Sequence, residues 1–347
     1  MEVSGTSEIA MGNDATQWSS VISSLLDHYG IRRPGQQVQP LGGAGGFSGA
    51  EFWRVDSGAE CWCIRKWPRE HPTEERLRFI HAVLQYAWQA GFTRLPLPLQ
   101  DRQGSTFVHG EGFFWEATPW LAGDVVHPRT ASPEQINVAM KTLAAFHQAV
   151  ASFPGTPAGA QCSAGMQDRA RLLKQMIDQG LDQIRKHLPG CRQELQARAR
   201  LVLEFSDRHA PRLLATVERE VNVPLVLQPC IRDIHFRHVL FQESQVSGLI
   251  DFGAMNNDTV ATDVARLLGS LAGEDPQSWQ VGLNGYQAVR PLTEIEQRFV
   301  RCFDQANVLL SPLNWLRWLM VERRHFDDES LVLSRLDELI ERLAGDS

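Results

Sequence analysis

From Gln37 to Trp67 the chain alternates apolar and polar residues in short bursts, Val38 to Leu41, Ala50 to Val55 and Cys61 to Trp67. A glycine-dense stretch and the turn Asp56-Ser57-Gly58 separate them. Period-two patterning between turn formers predicts three short antiparallel strands. Two more are expected over Gly104 to His109 and Gly112 to Thr118. Helical spacing flanks these runs: Val21, Ile22, Leu25 and Tyr29 share one face before the stop at Gly30. A second helix is expected from Thr73, an N-cap followed by Glu74 and Glu75 where the helix dipole favours acids, to about Ala90.

Beyond Pro119 to Gly123 the helical period dominates. Helices are expected over Pro133 to Val150, Gln167 to Leu188, Gln193 to Ala210, and Leu292 to Leu343 with a break at Pro312. Among them stand a strand pattern at Val223 to Gln228 and a hairpin pattern, Val239 to Phe241 and Val246 to Ile250, around a polar turn. Strands first and helices later predict an α+β chain of two lobes. The small antiparallel-sheet N-lobe is placed at 18–119, and the mainly helical C-lobe at 120–347 with the hairpin at 225–255. Residues 1–17 are polar and read as a disordered start.

A chain of 347 residues has room for two sizeable cores. With 34 basic against 41 acidic residues, a net charge of −7 and no Lys/Arg block, a nucleic-acid partner is not expected. No apolar run approaches the ~20 residues of a membrane helix, and the start lacks the basic flank and apolar core of a signal peptide. The six cysteines form no CxxC pair. They read as reduced thiols of a cytoplasmic protein, neither a zinc site nor a disulfide framework.

The segment Cys230 to Gly253 places Asp233 before the hairpin and Asp251 after it. Phosphoryl transfer needs one carboxylate to take the attacking hydroxyl's proton and another to hold a metal ion against the phosphates. Asp233 fits the first role and Asp251 the second. Together with His235, Val239-Leu240-Phe241 and Ile250-Asp251-Phe252-Gly253, the segment resembles the aminoglycoside phosphotransferase and choline kinase group, whose loop reads HGDxHPGNVLF followed by IDFG or IDWE. The resemblance covers roughly residues 37–325. It implies a bilobal protein-kinase-like fold and an ATP-dependent kinase acting on the hydroxyl of a small metabolite. ATP and Mg²⁺ are the implied cofactors, with Mn²⁺ as an alternative.

Two residues depart from that pattern: Ile231 replaces the usual His, and His238 replaces the metal-binding Asn. Three roles stay open for His238: a nitrogen ligand to a metal, a hydrogen bond to phosphate, or a weakened site. Imidazole suits Mn²⁺ or Zn²⁺ better than Mg²⁺. These departures motivate a second reading, a nucleotide-binding pseudokinase with a regulatory or scaffold role. The lack of an APE-type segment after Gly253 speaks against a protein kinase.

The glycine-rich run supplies Gly42, Gly43, Gly45, Gly46 and Ser48, whose N–H groups can approach phosphate oxygens. In the third strand Arg65 takes the phosphate-binding position of a VAIK pattern, with Lys66 as competitor, and strand alternation prevents both from serving together. Glu75, with Glu74 as alternative, is the expected partner of that cation. Glu116 and Thr118 mark the hinge whose backbone would meet adenine. Asp263 is expected to cap its helix and tie the loop, His235 to support the loop, and His147 to pack. Glu322, Asp327, Asp328 and Glu329 suit either a cationic acceptor or a solvated helix end. The acceptor's identity and the oligomeric state stay open.

Overall fold

The computed structural model describes residues 18–42, 49–324, 326 and 329–345. The expected disordered start, Gly43, Gly45, Gly46, Ser48, Asp327 and Asp328 lie outside the described residues. The chain divides into two compact units: Met1–Gln89 with Thr93–Ala122, and Ala90–Phe92 with Gly123–Ser347.

The first unit contains α1 (Ser19–His28), β1 (Gln37–Gly42), β2 (Glu51–Asp56), β3 (Cys61–Lys66), α2 (Glu74–Gln89), β4 (Val108–Gly110) and β5 (Phe113–Pro119). The strands form one antiparallel sheet in the order β1-β2-β3-β5-β4. Alternation along β2 and β3 sends Trp53, Val55 and Ile64 to one face, where Ile22, Leu25 and Leu26 of α1 cover them. Trp67 falls on the opposite face and packs with Leu77 of α2 and Phe107. β4 is shorter than expected because the Asp101 carboxylate accepts the N–H groups of Gln103 and Ser105, each at 2.8 Å, and folds that stretch into a turn.

The second unit opens with β6 (Asp124–Val125) and α3 (Pro133–Val150), whose start is fixed by a Ser132/Gln135 capping box. There follow β7 (Ala160–Cys162), α4 (Ala164–Gln175), α5 (Leu181–His187), α6 (Gln193–Glu220), β8 (Pro224–Val226) and β9 (Gln228–Cys230). After these come β10 (Val239–Gln242), β11 (Gln245–Leu249), β12 (Asn256–Asp258), α7 (Ala261–Ala272), α8 (Pro276–Gln287), α9 (Glu294–Leu316) and α10 (Glu329–Gly345). β10 and β11 form the expected hairpin, and β6 adds a third strand against β10. Gly123 makes that approach feasible: its φ is 146°, and a Cβ there would stand 2.4 Å from Ser247 Oγ.

Three expectations change. The strand expected at Val223 to Gln228 splits into β8, paired with β7, and β9, paired with β12. The helix expected to stop at Ala210 continues through Pro211 to Glu220. The break expected at Pro312 is absent, since α9 runs to Leu316 and continues as a π-helical turn over Arg317–Val321. In both helices the buried face extends across the proline, with Ala210, Leu213 and Val217 in α6 and Leu309, Leu313 and Leu316 in α9. That packing outweighs the hydrogen bond that proline removes.

Candidate active site

The loop after β9 is held from beneath by α7. Asp263, fully buried in the first turn of α7, accepts the main-chain N–H groups of Ile231 and Arg232, both at 2.6 Å. Its carboxylate thus reaches back to the loop, and the N-cap residue of α7, Val260, makes no side-chain capping bond. His147 Nε2 lies 3.1 Å from Asp263 Oδ2, and its Nδ1 lies 2.7 Å from the Tyr286 hydroxyl. A neutral imidazole satisfies both bonds, Tyr286 donating to Nδ1 and Nε2–H donating to Asp263. Burial holds the pKa of His147 below its ordinary value, in keeping with that assignment. His147, expected only to pack, is therefore a hydrogen-bonding strut. Ile231 is fully buried where the resemblance expects a polar ring.

Arg232 turns the chain in left-handed backbone at φ 68°, a conformation that costs a non-glycine residue about 1–3 kcal/mol. Its guanidinium lies 3.5 Å from the buried Asp258 and 3.4 Å from Asp168. Asp258 in turn accepts from Ser163 Oγ at 2.5 Å and the Gly165 N–H at 2.9 Å. Asp233 projects from this turn with an exposed carboxylate, and Arg266 of α7 holds it through Nη2 at 3.0 Å. Arg169, in α4, donates to Asn307 Oδ1 at 3.1 Å. Burial and the charge of Arg232 bring the Arg169 guanidinium down to about 10.

The two aspartates meet at His238. Its Nδ1 lies 3.0 Å from the main-chain oxygen of Asp233, and its Nε2 lies 3.6 Å from Asp251 Oδ2. His235 stacks on the same ring at 3.9 Å between centroids, and its own Nδ1 is buried without a hydrogen-bond partner. Burial lowers the pKa of both rings, that of His235 strongly. Asp251 also stands in left-handed backbone, at φ 59°. A carboxylate oxygen and an imidazole nitrogen 3.6 Å apart fit a divalent ion, since one ion ~2.1 Å from each reaches both. His147, Cys230 and Asp263 also lie within 4.8 Å of one another. Their bonding capacity is taken by Tyr286, the loop N–H groups and the Asp258 carbonyl, so they do not fit a cation.

In the first unit, alternation along β3 separates the two basic candidates. Lys66 points to the α1 face, paired with Glu51 and 4.3 Å from the Trp18 ring. Arg65 points to the α2 face, its guanidinium stacked 3.4 Å over Trp67 and 5.1 Å from Phe52. Opposite it in register is Glu116 of β5, buried and bound to His81 of α2 at 2.7 Å. Burial alone would raise the Glu116 carboxyl, but His81 and the charge of Arg65 hold it below the usual carboxylate range. Glu75 lies exposed in the first turn of α2, where Glu74 pairs with Arg78 at 2.6 Å. Glu116 and Thr118 sit within β5, and the Trp120 N–H bonds the Cys61 carbonyl, so the ladder runs through the expected hinge. Gly42 ends β1 at φ 56°.

Sequence reasoning assigned no role to Arg266, His81 or Tyr286. Arg266 carried a usable signal, three residues after Asp263 and hence on the same face of α7. His81 and Tyr286 are spaced like ordinary core residues and carried none.

The profile of the phosphotransferase enzyme family matches residues 40–294. A homoserine kinase of Rhizobium rhizogenes is 27% identical over 225 residues, covering 63% of this chain and 62% of that relative. Another, from Phenylobacterium zucineum, is 28% identical over 235 residues, covering 64% and 63%. The match thus spans a little over three fifths of these relatives. Among solved structures, an amicoumacin kinase in complex with AMP-PNP, Ca²⁺ and its ligand superposes with a TM-score of 0.63 at 13% identity, covering 93% of this chain and 92% of that one. A spectinomycin phosphotransferase with ADP and spectinomycin gives 0.61 at 13% identity, covering 94% and 97%. These likenesses show the bilobal kinase-like fold.

Proposed function

The chain belongs to the phosphotransferase enzyme family, and from that premise we propose that it is an ATP-dependent kinase that phosphorylates a hydroxyl of a small molecule. The observation that carries this reading is the joining of Asp233 and Asp251 through one imidazole, 3.0 Å from the first residue's carbonyl and 3.6 Å from the second's carboxylate. Asp233, exposed beside Arg266, takes the proton of the acceptor hydroxyl. Asp251 and His238 would hold the cation, whose positive charge would offset that of the transferring phosphates. Arg266 offers a second cation next to the base, and Arg65 together with the glycine-rich run from Gly42 contacts the nucleotide. Positioning and charge neutralisation supply the catalysis.

The acceptor we favour carries a carboxylate besides its hydroxyl. Arg266 stands beside Asp233, and the curated relatives named above are homoserine kinases, so homoserine is the first compound to try. The six unpaired cysteines suit a reducing cytoplasm. The test is ADP release by the full chain with ATP, Mg²⁺ or Mn²⁺ and a panel of hydroxylated metabolites. A hit abolished by Asp233→Asn supports the reading. Nucleotide binding with no turnover across the panel favours the pseudokinase, which the departures at Ile231 and His238 keep as the second reading.

A further inference from the structure

We propose that the site formed by Asp251 and His238 favours a first-row transition cation, with Mn²⁺ as the probe ion, over Mg²⁺; this rests on the reading of Asp251 as the cation-binding carboxylate. His238 Nδ1 lies 3.0 Å from the main-chain oxygen of Asp233. A carbonyl has no proton to give, so Nδ1 carries the hydrogen and Nε2 presents a lone pair. That lone pair faces Asp251 Oδ2 at 3.6 Å, beyond hydrogen-bond range. A cation between these two atoms would take a lone pair from each.

The imidazole is fixed in place. His235 stacks on it, the His238 N–H bonds the His235 carbonyl at 2.8 Å, and the Ile250 N–H bonds the His238 carbonyl at 3.0 Å. A backbone carbonyl accepting the second ring N–H is the support that orients metal-binding histidines. Mg²⁺ is bound through oxygen and demands near-octahedral geometry. A nitrogen beside a carboxylate is a donor set that first-row transition ions accept more readily. The departure at residue 238 is thereby a change of cation, with the site itself retained.

The test uses the full chain with ADP, labelled with ¹⁵N-histidine, and Mn²⁺ as the probe. Pulsed electron paramagnetic resonance is expected to show a directly bound ¹⁵N that disappears in His238→Asn. Competition titration is expected to show the Mn²⁺:Mg²⁺ affinity ratio falling at least fivefold in that variant. Because the ¹⁵N signal is read on the unaltered protein, a variant that fails to fold does not spoil the test. Bound Mn²⁺ without a ¹⁵N coupling, no Mn²⁺ binding, or an unchanged ratio in a folded variant overturns the proposal. ATP turnover measured in parallel separates the two readings. Nitrogen-bound Mn²⁺ without turnover sinks only the kinase, and turnover with an oxygen-only cation sinks only the selectivity.

Discussion

Asp263 holds the main-chain N–H of Arg232 at 2.6 Å, and Arg232 is the residue whose left-handed backbone, φ 68°, turns the chain into Asp233. A side chain stays in that region only where its surroundings enforce it. Asp263→Ala strips an acceptor from two loop N–H groups and from His147 Nε2. Each buried donor left unpaired costs about 1–3 kcal/mol. Urea denaturation is expected to show a loss of roughly 3 kcal/mol or more, with ATP consumption abolished. A loss below about 1 kcal/mol would contradict the clamp.

Arg266→Ala separates positioning from stability. The Asp233–Arg266 pair is partly exposed, with side-chain accessibilities of 54% and 23%, so its removal changes stability by no more than about 1 kcal/mol. Turnover is expected to fall on the order of 10²-fold as Asp233 loses its anchor. Steady-state kinetics beside a melting curve reads both. An unchanged kcat removes Arg266 from the mechanism.

Acid is expected to destabilise the fold through its buried rings. Burial holds the pKa values of His147, His235 and His238 below their ordinary value, so below about pH 6.5 the unfolded chain binds protons that the folded chain refuses. Their contribution is complete above that pH and is lost as pH falls through the depressed folded values. Urea midpoints at pH 7.5 and 5.5 check the sign, and His147→Gln should reduce the difference. A midpoint that rises on acidification contradicts the neutral assignment.

Opposite faces of β3 give Arg65 and Lys66 different phenotypes. Arg65→Ala is expected to weaken ADP binding about tenfold, some 1.4 kcal/mol. Lys66→Ala removes the partner of Glu51, and its expected effect is on the melting temperature with ADP affinity held. Glu75→Gln, at an exposed position, should change neither. Calorimetric titration of each folded variant decides, and a tenfold loss in Glu75→Gln would restore that residue as the partner of Arg65.

Local rules made much of this molecule legible. The turns around Asp56 and the hairpin polar turn have strong local chemistry, and β1, β2, β3, β10 and β11 lie within a residue or two of their expected bounds. α3 was equally readable because its capping signals agree with its apolar face. α8 was not: Gly282 and Gly285 read as helix-weakening residues, yet a Cβ at Gly282 would stand 2.3 Å from Leu268 Cδ1 and one at Gly285 2.8 Å from the Asn137 carbonyl. Those glycines serve close packing, which one-dimensional periodicity does not encode. At the site, Asp233 and Asp251 were readable from hairpin spacing. The Arg65 and Glu116 register came from strand pairing, and the Asp263 clamp depends on a helix more than thirty positions downstream.

The third strand of the β10–β11 sheet has a consequence for how this site can be exchanged between relatives. β6 lies more than a hundred positions before the hairpin, yet Asp124 and Val125 pair with Phe241 and Leu240, and Gly123 is fitted against Ser247. A chimera that imports residues 225–255 alone leaves behind the short strand that covers one edge of β10. The transferable module is discontinuous: it must carry Gly123 to Val125 with the hairpin, so recombination at a single crossover between them separates parts that fold as one.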